Sequence, residues 1–420
     1  MTAVPGLTTS DAGGGVQPSP EDVALRDEYL TLVRSAGFSP RFEMPRYQLG
    51  STSDDELWEF AKLLDRKAGA AGLLAPDWPA EYGGRGAGPI AFALISESRG
   101  YHLIPTAGTV ALGMAGHSYL KIGTEAQKRE WLPRLARGES VYAEGLTEPN
   151  AGSDLLGLTT RADWKDGHWV INGQKTYTSY GPRTDRIWVA PRTDQDAPRH
   201  AGISLFNLDL KTPGIRMRPF MNIAGGEMAD TYFDDVAARP EELIGAPGQA
   251  INALAVGSLG HHDIPNGELV EERTYRRLLD DTVAYLREQR PDRIRPGSPG
   301  AHTIVDWTLQ LGAWRALTWQ VIAGVVKGVH GGWRGSTMGI INREFRPRFA
   351  NALMDLVGQE ALAMPDSPGA LMYGRLAHQY LYGQFGHGGG SRDIRKLGLA
   401  VRGLGFPKSW GNLPSPRGGS

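Results

Sequence analysis

From Glu21 the stretch EDVALRDEYLTLVRSAG carries apolar residues at helical spacing. DDELWEFAKLLDRKAGAAG repeats that pattern, opened by Ser53 and Asp54 as cap candidates and closed near Gly69 or Gly72. Further helices are predicted in GPIAFALISESRGY, TAGTVALGMAGHSYLKIG and TEAQKREWLPRLARGE. The last opens on Thr124 with Gln127 three residues on, a capping-box spacing. Residues 21–140 read as a helical domain behind a flexible Gly/Pro/Ser/Thr lead over 1–20. After Gly138 the texture changes to short β-branched and aromatic runs: TTRADW, HWVING, RIWVAPR, GISLFNLDL, GIRMRPF and DTYFDDV. Asp166-Gly167 and Asn172-Gly173 are predicted hairpin turns, and Pro213-Gly214 and Gly225-Gly226 further breaks, which makes 141–243 a β domain. Helical periods return over 244–408, and several long apolar-faced helices in succession favour a bundle. The Pro/Gly-rich RPDRIRPGSPG, residues 290–300, reads as a loop between two of them, and 409–420 as a tail.

At 420 residues, 40% of them hydrophobic, the chain has material for two or three packed domains. Cysteine is absent, so disulfides, thiolate nucleophiles and cysteine-ligated metals are excluded. Forty-five basic residues against forty-six acidic ones, with no block of one sign, leave no electrostatic footprint for nucleic acid or a membrane surface. No apolar run approaches the roughly 18 residues of a membrane span, and MTAVPGLTTSDAGGG lacks the basic start and apolar core of a signal peptide, so a cytoplasmic protein is expected. The ten histidines are scattered without HExxH-type spacing, and no metal site is expected.

The candidate chemistry sits in YAEGLTEPNAGSD, residues 142–154, and in HWVINGQKTYTS some twenty residues later. The first sets Glu148 and Asp154 among Thr147, Gly152 and Ser153, which suits a loop turning N–H groups and hydroxyls toward a polar cofactor. Tyr177 in the second can supply a ring, and together the two stretches point to a flavin.

With TEPNAGSD and NGQKTYTS set in a helical, β, helical order, the chain resembles the acyl-CoA dehydrogenase family. Residues 75–87, APDWPAEYGGRGA, are similar to the Trp-Pro-x-Glu-Tyr-Gly-Gly segment of its bacterial long-chain and steroid-side-chain branch. GTEAQKREWLP, DDVAARPEELIG and RGLGFPK match further landmarks in order. The resemblance implies an α+β multidomain fold: an N-terminal all-α domain, a middle antiparallel β barrel or sandwich, and a C-terminal four-helix bundle. It implies FAD between the last two domains, completed by a neighbouring subunit of a homodimer, a homotetramer or a hetero-oligomer with a homologue. The implied substrate is an acyl-CoA or an acyl-carrier-protein thioester, and the implied electron acceptor an electron-transfer flavoprotein or another carrier.

Carried over by position, Thr147 and Ser179 are flavin-contacting hydroxyls, and Ser153 touches cofactor and acyl thioester. Tyr177 stands where the family usually has a Trp against the isoalloxazine, and Ser391 and Asp393 match positions at the adenosine end. Glu144 falls where relatives of this branch often carry Gln, and an ionised acid there would disfavour an anionic reduced flavin. The family's proton-abstracting Glu maps to Gly389, which cannot act as a base. In another branch that Glu lies on the first long helix of the last domain, at His261, followed by His262 and Asp263; Asp263 and Glu268 are lesser candidates, and neutral imidazole can accept a proton. A His-His-Asp beside Pro265-Asn266-Gly267 also suits a plain capping turn. Three functions follow from the resemblance: a dehydrogenase with an atypical base, one subunit of a mixed assembly whose partner brings the Glu, or a flavin monooxygenase or N-hydroxylase that needs no such base.

Overall fold

The structure, a computed structural model, describes residues 15–44, 54–254, 266–328, 332–365, 367–384 and 391–407. The N-terminal helices are α1 (Pro20–Ser35), α2 (Asp55–Ala70), α3 (Pro89–Tyr101), α4 (His117–Ile122) and α5 (Glu125–Ala136). Their starts are fixed locally. Asp54 accepts the Leu57 N–H at 2.9 Å, Ser19 and Asp22 form a capping box on α1, and the expected Thr124–Gln127 box opens α5. Ser53 lies outside the described residues. The predicted helix through TAGTVALGMAGHSYLKIG is realised as a π-helical segment, Ala111–Gly116, running into α4. Gly116 is obligatory there, since a Cβ would stand 2.3 Å from the Trp78 ring.

Seven strands follow: β1 (Tyr142–Gly145), β2 (Arg161–Lys165), β3 (His168–Ser179), β4 (Arg186–Val189), β5 (Phe206–Asp209), β6 (Ile215–Met221) and β7 (Glu227–Ala238). They form two sheets, ordered β1-β4-β5 and β2-β3-β7-β6, and so a sandwich rather than a closed barrel. Ala143, Ile187, Phe206 and Leu208 of one sheet meet Ala162, Ile171, Phe233 and Val236 of the other. The antiparallel expectation holds except at β1–β4, which is parallel, because the chain between them detours through β2 and β3 of the other sheet. Asp166-Gly167 makes the predicted turn with both residues left-handed. Asn172-Gly173 does not. It lies inside β3 at a register shift, where the Asn172 side-chain amide donates to the Asp235 carboxylate of β7 and accepts the Asp235 N–H. A Cβ on Gly173 would approach the Thr160 hydroxyl to 2.5 Å, so close packing rather than chain reversal calls for that glycine.

The C-terminal region holds α6 (Ala250–Leu254), α7 (Asn266–Gln289), α8 (Pro299–Val326), α9 (Gly332–Val357), α10 (Arg375–Gly383) and α11 (Arg392–Gly398). Tyr275, Leu279, Trp307, Trp314, Phe345 and Phe349 knit α7, α8 and α9 into one core, with the shorter α10 and α11 laid on α9. RPDRIRPGSPG forms the expected break, with Ser298 capping α8. The N-terminal and C-terminal helices meet along α3 and α7, so closely that a Cβ on Gly100 would lie 2.2 Å from the Val270 carbonyl. Glu97 of α3 is 1% exposed and accepts from Arg315 at 2.8 and 3.2 Å and from the Trp319 indole at 2.8 Å, both on α8. A largely buried ion pair of this kind needs its hydrogen bonds to offset desolvation, and here it ties two domains together. No helix of the described residues is long and apolar enough to cross a membrane.

Candidate functional site

The site is built on the ends of β1 and β3. Along β3 the ladder to β7 shifts register between Lys175 and Thr178, and the residue displaced by that shift is Tyr177. Its φ is +55°, a left-handed conformation that costs a bulky residue roughly 1–2 kcal/mol, and its ring is 60% exposed, edge-on to Phe220 at 5.8 Å. Neighbouring bonds hold the strain in place. The Thr176 N–H donates to the Thr147 carbonyl at 2.8 Å, and its hydroxyl to Asp230 at 2.6 Å. The Thr178 and Thr231 hydroxyls share a hydrogen bond at 2.9 Å.

Underneath lies Lys175, with no exposed surface. Its ammonium donates to the carbonyls of Leu146 at 3.0 Å and Ala190 at 2.8 Å, and to the Glu148 carboxylate at 2.8 Å. Glu148, 4% exposed, also accepts from the Thr159 N–H and hydroxyl and the Thr160 N–H, at 2.6, 2.8 and 2.9 Å. Burial alone would raise this carboxyl, but the Lys175 charge and these donors hold it down to about 2. One buried pair therefore joins the ends of β1 and β4, the loop to β2, and the strand that presents Tyr177.

The two acids of this loop part company: Glu148 points inward to Lys175, while Asp154 sits on the surface paired with Arg199 at 2.6 Å. Thr147, between Leu146 and Glu148, is part-buried beside β3; Ser153 is exposed; Ser179 is part-buried opposite Met228. Glu144 is part-buried on β1, two residues from the Lys175 contact at Leu146, and desolvation pushes its carboxyl up to about 7. The backbone bond from Thr176 to Thr147 thus brings Thr147 and Tyr177 together, with Glu144 three residues upstream of Thr147 on β1. Ser391 caps α11 by accepting the Ile394 N–H, and Asp393 is exposed beside Arg392; neither hydrogen-bonds to the β domain. His261, His262, Asp263 and Gly389 lie outside the described residues, and of Glu268 only the backbone is described. No cluster of metal-ligating side chains occurs among the described residues.

The sequence reading missed Lys175, Thr176 and Asp230. A signal existed for the lysine: two-residue alternation from Ile171 through Gly173 puts position 175 on the inward face, where an unpaired ammonium cannot remain.

Residues 51–139 match the acyl-CoA dehydrogenase N-terminal domain, and residues 143–236 the acyl-CoA dehydrogenase middle domain. The acyl-CoA dehydrogenase IpdE1 of Mycobacterium tuberculosis is 27% identical over 365 residues, 86% of this chain and 91% of that protein. FadE29 of the same organism is 35% identical over 212 residues, 48% of this chain and 54% of its own length. Among solved structures, the Tcur3481-Tcur3483 steroid acyl-CoA dehydrogenase superposes with a TM-score of 0.78 at 27% identity, covering 93% of this chain and 99% of that one. With both domain models matched in order and the fold shared nearly end to end, the chain carries the N-terminal and middle domains of the acyl-CoA dehydrogenase family, whose enzymes are flavoprotein oxidoreductases.

Proposed function

We propose that this chain binds FAD against Tyr177 and desaturates an acyl thioester, carried on CoA or a carrier protein, between its α and β carbons, with a base other than the family's Glu. The observation that carries the reading is the Tyr177 ring, held exposed in a strained conformation by Thr176, Thr178 and the Lys175–Glu148 pair. A large apolar ring so placed on a polar sheet end is a platform for a planar partner. Thr147 and Ser179 flank it as hydrogen-bonding hydroxyls, Ser153 reaches toward cofactor and thioester, and Ser391 and Asp393 serve the adenosine end. When bound, FAD supplies the two-electron acceptor for the β-hydride. Orienting the acyl chain and removing the α-proton fall to the protein, and His261 is this chain's own candidate for that proton, to be held as neutral imidazole at Nε2 or Nδ1.

A second reading is favoured by Gly389, which leaves the usual base position without a titratable group, and by the two-chain steroid dehydrogenase to which this chain is similar. In it, a homologous partner contributes the carboxylate and the two chains share the site. The test is flavin content and oligomer size of the protein purified alone and with a co-expressed homologue, followed by anaerobic addition of an acyl-CoA. The first reading expects a yellow protein bleached by acyl-CoA and spared bleaching by His261→Ala. The second expects flavin or bleaching only in the mixed assembly. A colourless protein in every assembly overturns both.

A further inference from the structure

Glu144 is a carboxyl for which the described structure provides no partner: it makes no hydrogen bond and no ion pair among the described residues. Its direction follows from strand alternation. Ala143 and Gly145 face the sandwich core, where a Cβ on Gly145 would touch Ile187 and Val189. Tyr142 and Glu144 face the other way, toward the N-terminal helices: Tyr142 is part of the helical core, and so is Trp188, the residue opposite Glu144 on β4. The elements that pack most extensively on β1 are β4, β3 and the π-helical segment Ala111–Gly116. Helices take up π geometry rarely, and often beside a functional site.

None of the charged groups on those elements balances the acid. On β4, Arg186 is held by Asn207 and Asp209. On β3, His168 is at the far end beside Asp166, Lys175 is bound to Glu148 and two carbonyls, and Tyr177 turns outward. The π-helical segment carries no titratable side chain, and His117 just after it places Nδ1 on the Leu112 carbonyl. Tyr142, beside Glu144 on the same strand face, is buried in the helical core. Partial burial with no charged partner favours the uncharged acid, in line with the upward push on this carboxyl.

We propose that Glu144 stands in the cleft between β1 and the π-helical segment as a neutral carboxylic acid and donates its O–H to the negative charge that two-electron reduction creates there. This rests on the flavin reading above, since Thr147, three residues on, is the hydroxyl that flanks Tyr177. A preorganised donor aimed at developing charge acts most strongly in a water-poor site. Gln at this position would donate as well, but without titrating; Glu makes the donor conditional on its proton.

Two measurements on Glu144→Gln test this. The first follows the Glu side-chain carboxyl carbons by NMR on the protein stripped of flavin, and expects one resonance titrating near neutral pH that vanishes in Glu144→Gln. The second follows the reduced-to-oxidised flavin ratio at fixed applied potential in the loaded protein. Wild type should lose about tenfold relative to Glu144→Gln between pH 6 and pH 8.5, with the two coinciding at low pH, as one unit of differential protonation requires. Glu144→Ala, which removes the donor at every pH, should lie below both at pH 6. A Glu144 carboxyl titrating in the ordinary acidic range, or parallel flavin curves for wild type and Glu144→Gln, overturns the proposal. A neutral-range titration in a protein that never takes up FAD leaves the uncharged acid standing and sinks the flavin reading instead.

Discussion

Replacing Lys175 by Met removes the ammonium from beneath the site while keeping most of its apolar stem. The Glu148 carboxylate would then stay buried beside the Thr159 and Thr160 donors without a counter-charge, and the Leu146 and Ala190 carbonyls would each lose a donor. Breaking a buried pair by deleting one partner costs about 3–5 kcal/mol. The two carbonyls would add about 1 kcal/mol or more each if they found no water. Since Glu148 keeps its backbone donors, we expect a loss of about 4 kcal/mol, which lowers Tm by on the order of 10 °C. Glu148→Gln should also destabilise, and the double variant Lys175→Met/Glu148→Gln should be better than the sum of the singles by at least about 1.5 kcal/mol, because no charge is left stranded. The assay is thermal unfolding of the four proteins at neutral pH, with flavin retention measured alongside. Lys175→Met costing less than about 1 kcal/mol, or strict additivity in the cycle, would refute the assignment of this pair as the tether of Thr147 and Tyr177. The pH dependence has a definite sign. Glu148 is depressed from 4.5 to about 2, so its stabilisation is complete above pH 4.5 and lost as pH falls toward 2; the gap between wild type and Glu148→Gln should close over that window.

Four further outcomes are expected. Tyr177→Gly should leave stability within about 1 kcal/mol of wild type, relief of the left-handed strain offsetting the lost contact with Phe220, while the flavin-to-protein ratio collapses; a large fall in Tm would contradict this. Gly100→Ala should drive α3 off the Val270 carbonyl and cost about 1–3 kcal/mol, whereas Gly312→Ala, where a Cβ meets nothing within 4 Å, should be neutral or stabilising in the same unfolding assay. Glu97→Ala removes the carboxylate that Arg315 and the Trp319 indole share across the domain boundary and should cost about 2–4 kcal/mol by denaturant titration, with Glu97→Gln milder. Glu144 has a raised carboxyl, about 7 against 4.5, so its favourable contribution is present below pH 4.5 and lost as pH rises through 7; Glu144→Gln should therefore raise Tm at pH 8 and give no gain at pH 4.5.

The order of helical, β and helical regions was legible in the chain because each signal is local. Asp54 and the Thr124–Gln127 box cap helices within three residues of themselves, and Asp166-Gly167 reverses the chain within two. Thr147 and Tyr177 could be singled out because short motifs in a fixed order carry them. What the tertiary structure decided lies beyond the reach of such signals. An Asn-Gly pair is a turn in isolation, yet inside β3 it stays extended opposite a bulge of β7, since pairing continues on either side and Thr160 closes on Gly173. Glu148 looks like a solvent-facing acid until a lysine 27 residues away is folded beneath it, and Glu97 reveals nothing of Arg315 at a separation of 218. Nor does composition tell that Tyr177 is held left-handed and outward, or that Glu144 is left without a partner. Capping and alternation are settled by a few adjacent dihedrals, whereas the protonation, strain and direction of a side chain depend on which distant groups share its desolvated volume, and only the completed packing fixes those neighbours.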